Sequence, residues 1–305
     1  MTQSVSAEGH LPAIAPVPSG QRALAAGIGW MLVTTLLFVC QDSTARILLA
    51  SYPPTEIAFA RFFIHLVLVA TFLRLRAPSL LASHRPVLQM LRSSLLLGTT
   101  LFGLFALNVM PFLDFSAVAW IAPVLVTALS VLILREHVSL RGWASVFAGL
   151  AGVWIIVARG GIDVSPIMLW PLLAALCNAF YQITTRMLHL SDPPLTTLFY
   201  SAVAGTVFCA AFLPFTGIAP KPADLALMVG LGSLGAASHF CMIRAFALAP
   251  ANIIAPFGYT ALIWATLSGI LVFGEIPGLR TLIGAALIAA AGLSIFLGAR
   301  PRRSA

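Results

Sequence analysis

Charged side chains are scarce in this sequence, and their scarcity is the first fact that restricts its fold. Asp, Glu, Lys and Arg make up 9% of the 305 residues, whereas apolar side chains make up 60% and the mean hydropathy is +1.01. Soluble domains carry about 25% charged residues. So little charge could not cover the surface of a water-soluble fold of this length. The composition therefore predicts an integral membrane protein and excludes an ordinary soluble domain.

Cysteines and acidic residues are also few. The four cysteines all lie inside apolar runs, which argues against a disulfide framework. Nine acidic residues stand against seventeen basic ones, for a net charge of +8. In a membrane protein the loop Arg and Lys residues set orientation, so this balance does not indicate a nucleic-acid partner. The expected partners are the lipid bilayer and a small-molecule substrate, with no nucleic acid, no cofactor and no metal.

Long apolar runs separated by polar or proline-rich breaks dominate the chain. Roughly 20 apolar residues are needed to cross a hydrocarbon core of about 30 Å as a helix. Assigning the N-terminus to the cytoplasm places twelve basic residues on the cytoplasmic side and five on the other, which is the expected bias. We therefore predict an all-α integral membrane protein of ten transmembrane helices with both termini cytoplasmic. The predicted spans cover residues 23–45, 55–73, 92–110, 115–134, 141–158, 166–186, 196–215, 225–247, 252–273 and 279–299.

The two halves of the sequence match each other at a shift of about 140 residues. Ser51-Tyr-Pro-Pro54 meets Ser191-Asp-Pro-Pro194, and a Glu-x-x-x-Leu-Arg motif beginning at Glu136 meets one beginning at Glu275. Five spans per copy is an odd number, so the second copy would cross the membrane inverted relative to the first. Inverted-topology repeats are typical of secondary transporters, which bind substrate near the midplane. The predicted organisation is a disordered cytoplasmic tail (1–21), two five-helix repeats (22–158 and 159–299) and a short cytoplasmic tail (300–305).

Several stretches also resemble a known family. They are Arg61-Phe-Phe, the stretch from Ala122-Pro123 through Leu134-Arg-Glu136, Ala255-Pro-Phe-Gly-Tyr259 and Phe273-Gly-Glu275-Ile-Pro277. Over residues 22–299 the chain resembles the drug/metabolite transporter (DMT) superfamily, in its ten-helix members built from two EamA domains. Within it the overall likeness is to the YddG-type amino-acid exporters. The resemblance implies export of amino acids, aromatic ones included, across a bacterial inner membrane.

Polar side chains at membrane depth are the candidates for a binding site, because they usually face the bundle interior or a water-filled cavity. A stripe at helical spacing in the first span has a counterpart 140 residues later in the sixth span. Trp120 and Tyr259 form a second matched pair. Interhelical hydrogen bonding and core packing are the alternative roles. The candidate cavity residues are Phe38, Gln41, Asp42, Asn108, Trp120, Asn178, Tyr181, Gln182, His239 and Tyr259.

The remaining buried charges are expected to be structural. Arg61 lies one turn from His65 and would pair with Glu56 or Asp42 near the outer face. Asp42 itself lies about 28 Å along the first span, which is too near the outer surface for proton coupling at the midplane. Facilitated transport is therefore favoured over proton antiport, although Asp42 keeps proton coupling open.

The predicted function is an inner-membrane secondary transporter that exports small amphipathic metabolites, amino acids first, by alternating access through a largely apolar cavity. A multidrug or nucleotide-like metabolite carrier is the alternative in the same superfamily. A channel or a membrane enzyme is the alternative in another class. A channel would need polar pore-lining rows or a filter loop, and an enzyme would need clustered His, Asp or Glu. Small-residue stripes in spans five and ten leave a homodimer contact open.

Overall fold

The computed structural model of the protein describes residues 21–76, 78–119, 121–134, 140–157, 166–188, 191–248 and 254–299. Helices cover most of these ranges, and no strand occurs within them. Short 3₁₀ turns occur at Pro78–Leu81, Pro166–Met168 and Ala255–Tyr259. The α-helices are α1 (Gln21–Leu48), α2 (Pro54–Arg76), α3 (Pro86–Val109), α4 (Phe112–Ala119), α5 (Ala122–Leu134), α6 (Leu140–Val157), α7 (Leu169–Leu188), α8 (Pro194–Ser201), α9 (Val203–Ala210), α10 (Leu213–Thr216), α11 (Pro222–Leu248), α12 (Thr260–Phe273) and α13 (Leu279–Ala299).

Each of the ten predicted segments overlaps helix in the described ranges. Six helical stretches are long and apolar enough to cross a membrane, and four further apolar helices are shorter. The prediction of an all-helical protein with apolar membrane-crossing helices is therefore confirmed. The count of ten spans and the cytoplasmic termini stay predictions. Residues 1–20 and 300–305, which form almost all of the two predicted tails, lie outside the described residues.

Two predicted spans are interrupted rather than continuous. In the fourth, Ile121 forms a turn directly before α5 begins at Ala122; in the seventh, Ala202 and a turn at 211–212 separate α8, α9 and α10. Hydropathy could not show these breaks, since the residues at them are as apolar as their neighbours. Proline instead marks where helices begin: α2, α3, α8 and α11 each start at one, because its fixed φ and missing N–H suit the first turn.

The helices pack in a pattern that repeats between the two halves of the chain. Helix α1 packs along α11, and its counterpart α7 packs along α3; α1 also packs on α12, as α7 does on α5. Helices α6 and α13, which are counterparts of each other, pack together. Exchanging the halves therefore leaves these packing pairs unchanged. The sequence match at a shift of 140 extends to the packing.

The helix corners repeat this relationship with different residues. The Tyr52 hydroxyl donates to Asp224 Oδ2 (2.8 Å) and accepts the Lys221 backbone N–H (3.0 Å), which ties the α1–α2 corner to the start of α11. At the equivalent α7–α8 corner, Asp192 accepts the His84 backbone N–H (2.8 Å), just before α3 begins. Both corners thus fasten one half of the chain to the other.

Candidate functional site

A cavity of about 120 Å³ lies among α1, α2, α3, α4, α7 and α11. Its wall is mostly apolar, from residues such as Leu96, Leu104 and Met242, with a few polar side chains between them. An apolar wall with sparse, placed polar groups is typical of small-molecule sites. The polar and ionisable wall residues are Thr34, Asp42, Arg61, Thr99, Thr100, Asn178, Tyr181, Gln182 and His239.

Six of the ten candidate residues lie in this wall. Their helices explain why: α1 and α7 each present one face to the cavity, so side chains one turn apart enter it together. On α7 the amides of Asn178 and Gln182 are in hydrogen-bond contact with each other (3.5 Å). The wall residues that the sequence predicted are Phe38, Asp42, Asn178, Tyr181, Gln182 and His239.

The other four candidates are placed elsewhere. Gln41 is buried against α11, with its amide nitrogen 3.5 Å from the Leu231 carbonyl, because it is turned about 100° from Asp42 on the same helix. Tyr259 is buried in the apolar core, not in the cavity wall. Asn108 is exposed near the end of α3. Trp120 lies outside the described residues.

Arg61 belongs to the site, although the sequence favoured a structural role for it. Its side chain lies in the cavity wall with that of Asp42, and its Nη2 lies 3.4 Å from Nε2 of His239. Glu56, one of its expected partners, instead accepts the Ile218 backbone N–H (2.8 Å). Asp42 forms no hydrogen bond or ion pair with any residue that the structure describes. The cavity therefore presents an acid and a base that lack strong mutual pairing.

Arg92 is a buried charged residue beside the cavity that sequence reasoning missed. The sequence predicted it as the first residue of the span 92–110, at the cytoplasmic end, but α3 begins at Pro86, so Arg92 lies almost two turns inside the helix and is fully buried. A start at proline was the feature that could have placed it correctly. When Arg92 is left out of the count, the predicted cytoplasmic side still has more basic residues than the other side, so the predicted orientation is unchanged.

The Arg92 guanidinium is held by neutral groups of α7 and α8. Its Nε donates to Thr185 Oγ1 (2.6 Å), and its Nη1 donates to Ser201 Oγ (2.7 Å) and to the Thr197 carbonyl (3.1 Å). Its Nη2 donates to the Tyr181 hydroxyl (2.6 Å), and its Cζ lies 4.3 Å from the centre of that ring. Within the described residues none of these partners is a carboxylate.

A chain of polar contacts connects Arg92 to the cavity. The Tyr181 hydroxyl is 3.1 Å from Nδ1 of His239, whose Nε2 faces Arg61. Arginine can only donate, so Nε2 must accept from Arg61 and the His239 proton must lie on Nδ1, directed at the Tyr181 oxygen. This tautomer is assigned from the network of partners rather than observed. Both rings are held in place by cations on either side.

Metal chemistry finds no support in the described part of the chain, where no cluster of three His, Cys, Asp or Glu side chains could hold an ion. What the arrangement can do is bind. The carboxylate, the guanidinium, two amides and four ring systems surround one space whose wall is otherwise mostly apolar. Such a set suits a molecule with a charged head and a flat heteroaromatic part.

The fold, the apolar helices and the cavity define a membrane transporter. The sequence model of the EamA-like transporter family matches residues 25–158 and again residues 165–297. The chain belongs to the EamA-like transporter family, within the drug/metabolite transporter superfamily. The inferred resemblance to that superfamily is thus confirmed, whereas the narrower likeness to YddG-type exporters stays a prediction.

Relatives of known name are transporters. The chain is 28% identical to an S-adenosylmethionine uptake transporter of Rickettsia bellii, over 88% of this chain and 92% of that protein. It is also 28% identical to a riboflavin transporter of Vibrio cholerae, over 86% of this chain and 90% of that protein. These names agree with the expectation that the protein is not an enzyme. Neither is named as an amino-acid exporter.

The fold is also found among solved structures. A crystal structure with 21% sequence identity superposes with a TM-score of 0.67, over 94% of this chain and 100% of that one. At this identity the likeness concerns the fold alone.

Proposed function

We propose that the protein is a secondary transporter of the bacterial cytoplasmic membrane for metabolites that join an amino-acid group to a heteroaromatic ring, S-adenosylmethionine first among them. The observation that carries this proposal is that Asp42 and Arg61 line the same cavity as the aromatic and amide side chains. The names of the relatives support it, since S-adenosylmethionine and riboflavin both contain heteroaromatic rings.

The charged pair suits an amino-acid head. Arg61 presents a planar fork of N–H donors that fits a carboxylate. Asp42 can accept hydrogen bonds from an ammonium group, or attract a sulfonium group by its charge. A charge left without a strong partner at membrane depth is costly, so a substrate that supplies the opposite charge is bound favourably. Export of free amino acids, the function expected from the sequence, therefore stays a second candidate, because the same pair fits it.

The amide and aromatic groups of the cavity wall suit the ring. Asn178 and Gln182 use only one contact with each other, which leaves an amide edge to pair with a base; Asn and Gln pair with adenine through two hydrogen bonds elsewhere in biology. Phe38, Tyr181 and His239 provide aromatic faces and edges, which attract a flat ring.

Alternating access would follow from the repeated packing. Two five-helix halves, residues 22–158 and 159–299, would lie inverted in the membrane with both termini cytoplasmic and would exchange conformations to open the cavity to one side at a time. The space of about 120 Å³ is below the range of roughly 300–1,000 Å³ for drug-sized ligands. The cavity must therefore widen to admit such a substrate, as the cavity of a carrier does.

Competition in proteoliposomes tests the substrate class. Uptake of labelled S-adenosylmethionine is measured with unlabelled S-adenosylhomocysteine, adenosine, methionine, tryptophan or riboflavin as competitors. Saturable uptake is expected, inhibited most by compounds that hold both the ring and the amino-acid head. Inhibition by tryptophan and methionine, with none by the adenosine compounds, would favour the amino-acid carrier. Uptake that does not saturate would indicate a channel and would contradict the proposal.

A further inference from the structure

Arg61 and Arg92 lie at two equivalent helix contacts, α2–α11 and α8–α3, but on helices that are not counterparts of each other. At a shift of 140 residues, Arg61 corresponds to Ser201 and Arg92 to Gly232. Arg92 donates to Ser201 at the α3–α8 contact (2.7 Å). At the corresponding α2–α11 contact, the backbone of Arg61 approaches Gly232 so closely that an added Cβ would lie 3.2 Å from its carbonyl oxygen.

The two arginines lie toward opposite ends of the bundle. Arg61 is seven residues into α2, and Arg92 is six residues into α3, which places each about 10 Å from the start of its helix at 1.5 Å per residue. Because α2 and α3 are consecutive and cross the bundle in opposite directions, their starts lie at opposite ends.

Only one of the two guanidinium groups faces the cavity. Arg61 lies in the cavity wall, whereas Arg92 is fully buried behind the Tyr181 side chain, which itself lines the cavity. The guanidinium of Arg92 stacks on that ring, so a single aromatic layer separates it from the space. Four of its five N–H groups have neutral partners in the described part of the chain, and none has a counter-ion.

A buried cation without a counter-ion is unfavourable at membrane depth, and a structural role alone would be served by a neutral side chain. We propose that Arg61 and Arg92 are two anion sites that are exposed to the cavity in turn, each binding the substrate's carboxylate in the state that opens to its own end. In the state seen here Arg61 is exposed and Tyr181 covers Arg92. In the opposite state the covering is reversed.

This proposal rests on the proposed function, because it requires a substrate that carries a carboxylate. It adds a second binding site, at Arg92, and a prediction about sidedness. Binding from each face of the membrane depends on a different arginine. A single central site would make binding from both faces depend on the same one.

The test measures KM from the two faces separately, with whole cells for one and inverted membrane vesicles for the other. Arg61→Gln is expected to raise KM at least tenfold from one face, and Arg92→Gln to do so from the other, since a charge-assisted hydrogen bond is lost in each case. Arg74→Gln, an exposed position on α2, is the matched control and leaves both values unchanged.

A decarboxylated substrate analogue tests, without any variant, whether the carboxylate is bound from both faces. If Arg92→Gln does not fold, Arg61→Gln decides between two sites and one, because a single site would raise its KM from both faces. The wild-type protein is expected to bind it about tenfold more weakly from both faces. A penalty from one face only, or an equal rise in KM from both faces in the Arg92 variant, overturns the proposal while leaving the proposed function in place. Absence of any saturable uptake by the wild type overturns both.

Discussion

Arg92 and Tyr181 are joined by two contacts at once: Nη2 of Arg92 donates to the Tyr181 hydroxyl at 2.6 Å, and the guanidinium carbon lies 4.3 Å from the centre of the ring. The same hydroxyl contacts His239, which faces the cavity. One tyrosine therefore covers a buried cation, contacts a histidine and forms part of the cavity wall.

Tyr181→Phe tests this network. The ring and its packing are kept, but Arg92 Nη2 and His239 Nδ1 lose their shared partner. Leaving buried polar groups unsatisfied costs about 1–3 kcal/mol, so the thermal unfolding midpoint in detergent should fall. Tyr200→Phe, a partly exposed tyrosine on α8, is the control and should change little. Equal changes in the unfolding midpoint for the two substitutions would show that the hydrogen bonds of the Tyr181 hydroxyl do not stabilise the fold.

Gly205→Ala tests the close contact between α9 and α2. A Cβ at this glycine would lie 2.2 Å from the ring of Phe62, which is itself buried, so neither side can yield easily. Overpacking of this kind costs about 1–3 kcal/mol. Gly230→Ala on α11 has nothing within 4 Å of the new Cβ and should be neutral or stabilising, because alanine favours helix. Similar stability of both variants, measured by thermal unfolding, would contradict the tight contact.

Asp192 gives a prediction about pH at the α7–α8 corner. Burial tends to raise its pKa, but hydrogen bonds from Ser83, Gln89 and the His84 backbone outweigh burial and hold the pKa below the ordinary value. A lowered pKa in the folded state stabilises the protein above the unfolded pKa of about 3.9, and this contribution is lost as the pH falls through the folded value.

Asp192→Asn should therefore lower the unfolding midpoint at pH 7, and the gap from the wild type should narrow below about pH 4. The measurement is thermal unfolding of both proteins in detergent across this pH range. If the difference between the two unfolding midpoints does not change with pH, the ionised carboxylate of Asp192 does not stabilise the α7–α8 corner.

Glu275 tests the contact that holds the start of α4. Its two carboxylate oxygens accept the backbone N–H groups of Phe112 and Leu113, each at 3.1 Å. A negative charge at a helix N-terminus stabilises it by about 0.3–1 kcal/mol, and up to about 2 kcal/mol when partly buried. Glu275→Gln should lower the unfolding midpoint modestly, and Glu275→Ala should lower it further. The opposite order of the two variants would argue against capping.

The sequence predicted the helical membrane fold because the length of an apolar run and the charge of a loop are local properties of the chain. Each predicted segment overlaps a helix. The sequence also predicted Asp42, Asn178 and His239 in the cavity wall because polar groups inside a membrane bundle rarely face lipid. The prediction failed for Gln41, because adjacent residues of a helix point about 100° apart. Asp42 faces the cavity, and Gln41 therefore faces a neighbouring helix.

Arg92 was misassigned for a different reason. A hydropathy profile places a charged residue at the end of a span, because it includes the energetic cost of burying the charge. It does not include the neutral hydrogen-bond partners that offset this cost. Those partners lie roughly 90 to 110 positions later in the sequence, and only tertiary structure brings them to the guanidinium. Tyr259 shows the converse: an aromatic residue in a matched pair can serve the apolar core instead of the cavity.

The most direct test of the proposed transport function is counterflow of labelled S-adenosylmethionine into proteoliposomes preloaded with the unlabelled compound. The wild-type protein should accumulate label transiently, and Asp42→Asn should raise KM at least tenfold, because the unpaired acid in the cavity no longer meets the substrate's positive charge. Asp224→Asn, which removes an acid outside the cavity, should leave KM unchanged. No counterflow by folded wild-type protein, or equal KM values for wild type and Asp42→Asn, would contradict the account.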